Sequence, residues 1–191
     1  MEFSGKKVTV VGTGISGIGA VGLLNAVGAE VVLYDGNEKL KIEDIEKKLG
    51  TYKAEIVLGE LTKELTDSSD LLVISPGVPI DSPVVKAFEA AGVPVWGEVE
   101  LAYAFDKGKV LAITGTNGKT TTTALVGQIV GAYHKDTFVV GNIGNPYTTE
   151  VLKSNKDSYT VAEISSFQLE TVHEFHPFVS AILNITPDHL N

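Results

Sequence analysis

The sequence predicts an α/β protein built on parallel sheets, and three observations predict it. Short apolar runs alternate with helix-like segments from one end to the other. Such runs, set between helices, are the mark of a parallel sheet covered on both faces. Two glycine-rich turns each follow an apolar run and open a helix. The 191 residues contain no cysteine, so neither a disulfide framework nor a thiolate metal site can stand in for a core. This length suits one large or two small domains.

Residues 7–11 predict a buried strand, followed by a glycine-rich turn and a helix over 16–27. Residues 30–34 predict a second strand. Residues 42–49 are helical, with Glu43, Glu46, Lys47 and Lys48 on the wet side. Strands follow at 54–58 and 71–75. A helix over 83–91 is closed by Gly92, and 94–96 is the fifth strand. A second unit begins near Gly97-Glu98. A linking helix (99–105) and a turn at Asp106-Lys107-Gly108 lead into a strand at 109–113. A helix over 120–131 and strands at 137–140, 158–164 and 178–184 complete the series. The expected domains are 1–97 and 98–191. The second is expected to be cut short, because an α/β unit of this kind usually needs more strands and helices than remain.

The formal net charge of -9 argues against a nucleic-acid partner, which would need a basic face. All 15 basic residues are lysine. A bound phosphate would therefore rest on backbone N–H groups, lysines, hydroxyls or a metal, not on a guanidinium. Lys6-Lys7 precede an apolar stretch, but its five glycines interrupt any signal-peptide block. No run of about 18 apolar residues occurs, so no membrane span is expected. The lack of cysteine fits a reducing cytoplasm.

The strongest motif is Thr114-Gly115-Thr116-Asn117-Gly118-Lys119-Thr120-Thr121, directly after the strand at 109–113. A glycine loop between strand and helix aims several N–H groups at one spot, and the helix N-terminus adds partial positive charge. Lys119 can reach terminal phosphates, and the Thr120 hydroxyl can ligate magnesium. The general pattern wants a glycine five residues before Gly118, where Ile113 stands, so this is a shortened variant. The plainer reading is a glycine turn capped by threonine.

Gly12-Thr13-Gly14-Ile15-Ser16-Gly17 follows the first strand, and Asp35 ends the second, at the spacing of a dinucleotide fingerprint. The first unit is thus Rossmann-like, and the second an incomplete P-loop ATPase-type α/β domain. Ser75-Pro76-Gly77 follows a further strand. Singly, Asp35 would be a solvated strand end and Pro76-Gly77 a turn. Together at strand ends, Ile15, Ser16, Asp35 and Ser75 point to one crevice.

Three polar clusters lie downstream: Gly141-Asn142-Ile143-Gly144, the segment from Glu163 through Ser165 to Glu170, and Asn184 through His189. A carboxylate and an imidazole at strand ends near a phosphate loop are what a magnesium–ATP site needs. Against this, Glu163 could cap a helix beside Ser165, and His189 could be a surface histidine. His134, His173 and His176 read as surface or loop residues.

These motifs resemble the Mur ligase family of peptidoglycan synthesis. The carriers are the first glycine turn, Ser75-Pro76-Gly77, Gly97-Glu98-Val99-Glu100-Leu101, the phosphate loop, and the three downstream clusters. The 165–170 segment resembles the D-glutamate-adding members. Asn117 sets the chain apart from L-alanine-adding members, and Thr120 from folylpolyglutamate synthases. The resemblance implies a cytoplasmic, monomeric ligase of cell-wall biogenesis, tied to cell shape and division. Its substrates would be UDP-N-acetylmuramoyl-L-alanine, D-glutamate and ATP, with two magnesium ions. It also implies residue roles. Lys119, Glu163 and His189 would be catalytic, and Gly115, Thr116, Asn117, Gly118, Lys119, Thr120 and Thr121 would bind ATP. Thr120, Glu163 and His189 would hold metal. Gly14, Ile15, Ser16, Asp35, Ser75, Gly77, Asn142 and Ser165 would bind the UDP-linked substrate. Gly36-Asn37 stand where some relatives have an arginine, so diphosphate contacts are expected to differ. The family's carbamylated lysine and third domain are not in the sequence, so turnover by this chain alone is not expected.

Three other readings stay open at this stage. Another subtype of the family is one. An NAD oxidoreductase using the first glycine turn is the second, although it leaves the phosphate loop unexplained. A nonenzymatic nucleotide-binding module is the third.

Overall fold

A computed structural model describes residues 2–187. Nine strands form two sheets, both wholly parallel. The first sheet takes β1 (Lys7–Val11), β2 (Glu30–Asp35), β3 (Glu55–Leu58), β4 (Leu71–Ile74) and β5 (Val95–Gly97) in the order β3-β2-β1-β4-β5. The second takes β6 (Lys109–Thr114), β7 (Thr137–Gly141), β8 (Tyr159–Glu163) and β9 (Val179–Ile182) in the order β7-β8-β6-β9.

The expected strands and long helices are present, with ends moved by a few residues. The helices are α1 (Ile15–Ala26), α2 (Ile42–Leu49), α3 (Lys63–Ser68), α4 (Pro83–Ala90), α5 (Glu98–Tyr103), α6 (Lys119–Tyr133), α7 (Tyr147–Glu150) and α8 (Ser166–Leu169). A single 3-10 turn, Val151–Lys153, follows α7. Three helices have local sequence support at their ends. Pro83 opens α4 at its first position, where a missing N–H costs nothing. Thr62 caps α3 by accepting from the Leu65 N–H at 3.3 Å. Acidic Glu43 and Asp44 start α2, and basic Lys47 and Lys48 end it, matching the helix dipole.

Strand alternation sorts the core. Val8 and Val10 of β1, Leu33 of β2, and Leu71 and Val73 of β4 face one way, onto α1 and α2. Val11, Val32, Leu72 and Ile74 face the other way, onto Leu65 of α3 and Val85 and Phe88 of α4. Burying a side chain such as Phe88 contributes about 2–3 kcal/mol. The first of these cores runs on into the second unit through Val99 and Leu101 of α5, Tyr147 of α7, and Val110, Ala112, Val140 and Ala162.

One strand departs from expectation. β9 is an edge strand paired to β6, and Val179 and Ile182 are exposed rather than covered. Leu125, Ile129 and Tyr133 on α6 are exposed as well. Among the described residues no helix is long and apolar enough to cross a membrane.

Candidate functional site

The polar clusters expected from sequence all emerge at the carboxyl ends of parallel strands. The phosphate loop follows β6, Gly141-Asn142 follows β7, Glu163 ends β8, and Asn184 lies just past β9. That edge of an open parallel sheet is where such folds hold ligands. A cleft of about 610 Å³ opens there. Gly115, Thr116 and Lys119 line it with Asn142, Ser165 and Asn184, and Pro76 and Gly77 reach it from the first sheet.

The expected phosphate loop is a tight turn between β6 and α6. Gly118 caps α6 in the left-handed region at φ 84°, a conformation glycine adopts freely. The first N–H groups of α6 have no acceptor within the helix. Lys119 folds back over the loop, and its Nζ donates to the Gly115 carbonyl at 2.7 Å and the Thr116 carbonyl at 3.0 Å. An ammonium has three donors, so one remains for a ligand. Asn117, Gly118, Thr120 and Thr121 lie exposed along the same loop and first turn.

Glu163 is 1% exposed. Its Oε1 accepts from Asn142 Nδ2 at 2.9 Å, and its Oε2 is buried with no partner. The helix-capping alternative is corrected here. Ser165 caps α8, forming a capping box with Gln168, because its hydroxyl rather than a carboxylate two residues earlier meets the Gln168 N–H. A buried carboxylate oxygen without a donor suits a cation. Magnesium is commonly held by one or two carboxylates together with phosphates and water. Thr120 and Glu163 therefore fit it. Among the described residues no three His, Cys, Asp or Glu side chains converge. His189 lies outside the described residues.

The first glycine turn sits at the point where strand order reverses, between β1 and β4. A Cβ on Gly17 would collide with the Gly12 carbonyl, so the turn tolerates no side chain there. Ser75 Oγ packs against Gly12, buried and without a partner. Asp35 closes the turn: its Oδ2 accepts from the Thr13 N–H at 3.2 Å and the Thr13 hydroxyl at 2.9 Å, and its Oδ1 from the Asn37 N–H at 3.1 Å. Gly14 is exposed and Ile15 is 79% exposed at the rim. A second cleft, about 530 Å³, runs from Ser75 and Gly77 to Glu98 and Gln168. The structure thus brings Ser75 and Gly77 together with the 165–171 segment. Gly14, Ile15 and Asp35 stay on the glycine turn outside both clefts.

Three residues had no assigned role in the sequence reading. Lys48 was placed on the wet face of α2, yet its Nζ donates to the Thr13 carbonyl at 3.3 Å. Glu98 is buried at the start of α5, bonded to the Ser16 hydroxyl and the Tyr147 N–H. Burial pushes its pKa above the usual carboxylate value, with those two bonds pulling the other way. Glu100 is 1% exposed and accepts from the N–H groups of His173, Glu174 and Phe175 at 2.9, 2.8 and 3.1 Å. Two acids inside an apolar helix were the available signal. His134 stacks on Tyr159, and His173 contacts the Val95 carbonyl at 2.9 Å.

The Mur ligase MurD-like N-terminal domain matches residues 6–97, and the Mur ligase middle domain matches residues 113–191. The chain is 72% identical, over its whole length, to the UDP-N-acetylmuramoylalanine--D-glutamate ligase of Lachnospira eligens, and 44% identical to that of Clostridioides difficile. It spans 42% and 43% of those proteins. Among solved structures, UDP-N-acetylmuramate:L-alanyl-gamma-D-glutamyl-meso-diaminopimelate ligase from Neisseria meningitides shares the fold. The TM-score is 0.59 at 19% identity, covering 98% of this chain and 63% of that one. With two successive domains of one enzyme family matched in order along its length, the chain belongs to the Mur ligase family.

Proposed function

We propose that the chain carries the nucleotide sites of a ligase joining D-glutamate to UDP-N-acetylmuramoyl-L-alanine at the expense of ATP. Residues 1–97 would bind the UDP-linked substrate and residues 98–191 the ATP phosphates. The observation that carries this reading is one cleft lined by a lysine-bearing phosphate loop together with Gly77, Asn142 and Ser165. The D-glutamate assignment is supported by relatives such as the 72% identical D-glutamate ligase of Lachnospira eligens.

In this reading the terminal phosphoryl group of ATP passes to the alanine carboxylate. The amine of D-glutamate then attacks the acyl phosphate and displaces inorganic phosphate. The chain's own residues contribute position and charge rather than covalent chemistry. The N–H groups at the start of α6 and the spare donor of Lys119 hold the phosphates. Asn142 holds the Glu163 carboxylate in place at 2.9 Å. Magnesium, when bound, would neutralise phosphate charge, with the Thr120 hydroxyl and Glu163 Oε2 as fitting donors. Ser75 and Gly77 would meet the UDP-linked substrate beside the first glycine turn. We place the enzyme in the cytoplasm as a monomer acting on small molecules.

The test is phosphate release by the full-length enzyme. It should require ATP, UDP-N-acetylmuramoyl-L-alanine and D-glutamate together, and other amino acids should not replace D-glutamate. Lys119→Ala should lower the rate about a hundredfold, because one preorganised donor at a developing charge is worth about 3 kcal/mol. Activity of that variant within threefold of wild type would remove Lys119 from the reacting phosphates.

A further inference from the structure

We infer that Asn184 is a positioning residue that completes the shortened phosphate loop and takes two of its amides out of phosphate binding. The inference rests on the proposed ATP reading of the loop, and it concerns which amides remain to hold the phosphates.

Asn184 meets the loop on three bonds. Its backbone carbonyl accepts from the Thr116 N–H at 3.2 Å. Its side-chain Oδ1 accepts from the Asn117 N–H at 2.9 Å, and its Nδ2 donates to the Asn117 carbonyl at 2.8 Å. The amide side chain thus pairs with both backbone groups of one residue, as a residue of one strand pairs with its neighbour across a ladder. Two residues on, the Thr116 hydroxyl donates to the Thr186 carbonyl and accepts from the Thr186 N–H, each at 3.0 Å. Gly115 takes φ 136°, and a Cβ there would lie 3.0 Å from the Asn184 carbonyl oxygen. The loop and the chain after β9 are therefore seated directly on one another.

The chemistry follows from counting donors. An N–H group has one proton to give. Those of Thr116 and Asn117 already give theirs to Asn184. In a full-length phosphate loop, amides at the middle of the loop cradle phosphate. Here the loop starts two residues later, at Gly115, since Ile113 stands where the general pattern has its first glycine. Lys119 ties the loop's Gly115 and Thr116 carbonyls from within, and Asn184 ties its Thr116 and Asn117 amides from the neighbouring strand end. Phosphate is left with the N–H group of the cap residue Gly118 and those that open α6, at Lys119, Thr120 and Thr121. The arrangement also ties the shape of the ATP site to the segment that follows β9.

The experiment is residue-resolved amide exchange of the full-length protein with and without magnesium–ATP. The Asn117 amide should exchange slowly in both states, and ATP should newly slow the amides of Gly118, Lys119, Thr120 and Thr121. Protection of Asn117 appearing only with ATP would overturn the inference. If ATP slowed no amide of the loop, the ATP reading itself would fail. Kinetics give an independent arm. Asn184→Ala should raise KM for ATP about tenfold, as for the loss of one to two net hydrogen bonds. It should leave KM for the UDP-linked substrate within twofold, which general unfolding would not. Asn184→Asp keeps the acceptor for the Asn117 N–H but loses the donor, and should also weaken ATP selectively. Unchanged ATP dependence in both variants, or equal loss for both substrates, would sink the assignment.

Discussion

Glu98 carries a carboxylate into a site where only 4% of its surface meets solvent. Desolvation favours its neutral form, so its folded pKa stands above the ordinary value of 4.5. An acid with a raised folded pKa contributes stability that is complete below its unfolded pKa. That stability is lost as pH rises through the folded value. Glu98→Gln keeps an acceptor for the Ser16 hydroxyl and cannot ionise. Its denaturation midpoint, relative to wild type, should therefore be higher at about pH 7.5 than at about pH 4. A difference independent of pH would mean that Glu98 is not charged at a cost. Tyr147 shows the companion case. Burial and the Asp106 carboxylate both push its pKa up, so it stays a phenol and donates to Asp106 Oδ2 at 2.7 Å. Asp106 Oδ2 also accepts from the Thr160 hydroxyl at 2.8 Å, and Oδ1 from the Gly108 N–H at 2.7 Å. Tyr147→Phe should cost about 1–3 kcal/mol in urea denaturation, as for a hydrogen bond to a charged group. A loss below about 0.5 kcal/mol would place the cohesion of this corner elsewhere.

Among the elements, α5 does the joining, and Glu100 is its grip. Three N–H groups of the segment before β9 converge on that carboxylate. Glu100→Gln loses one of two equivalent oxygens, so the amides of His173, Glu174 and Phe175 should exchange faster while those of β6 and β8 do not change. Uniform acceleration across the chain would instead indicate global loss of stability. The long elements were legible because their apolar runs exceed or match one strand or several helical turns. Residues 42–49 were read with the bounds that α2 has. The helices α3, α7 and α8 are not legible, since α7 and α8 are about one turn long and α3 carries one apolar residue, Leu65, too few for a helical period to appear. For α8 a signal did exist in the spacing of Ser165 and Gln168, which is that of a capping box. At the site, the phosphate loop and Glu163 were legible from glycine spacing and position after a strand. Asn184 was visible as a polar residue after a strand, but its grip on Asn117 joins positions 67 apart and has no local trace. Lys48 was hidden for a related reason. Periodicity put it on the wet face, while a long side chain can reach beyond its own face.

Across the whole molecule, two sheets share one continuous apolar core. Val8, Val10 and Leu24 of the first unit belong to the same cluster as Val110, Val140 and Ala162 of the second, joined by Val99, Leu101 and Ala102 of α5. The helix α1 lies between the first sheet and α7, so the core on this face of the first sheet is closed by both units. Units linked only by a flexible tether would unfold separately, whereas a shared core makes them cooperative. The single tryptophan, Trp96, sits in β5 with its ring 6.1 Å from that of Phe3, and so reports on the first unit. Far-UV circular dichroism reports on both. In urea the two signals should follow one curve. Leu101→Ala, at a fully buried position on the joining helix, should lower both by about 2–5 kcal/mol and keep them coincident. If tryptophan fluorescence instead changed at a lower urea concentration than the dichroism, the first unit would be separable. The spacing of the clefts at the two sheets would then be set by the tether between them rather than by the packing of α1, α5 and α7.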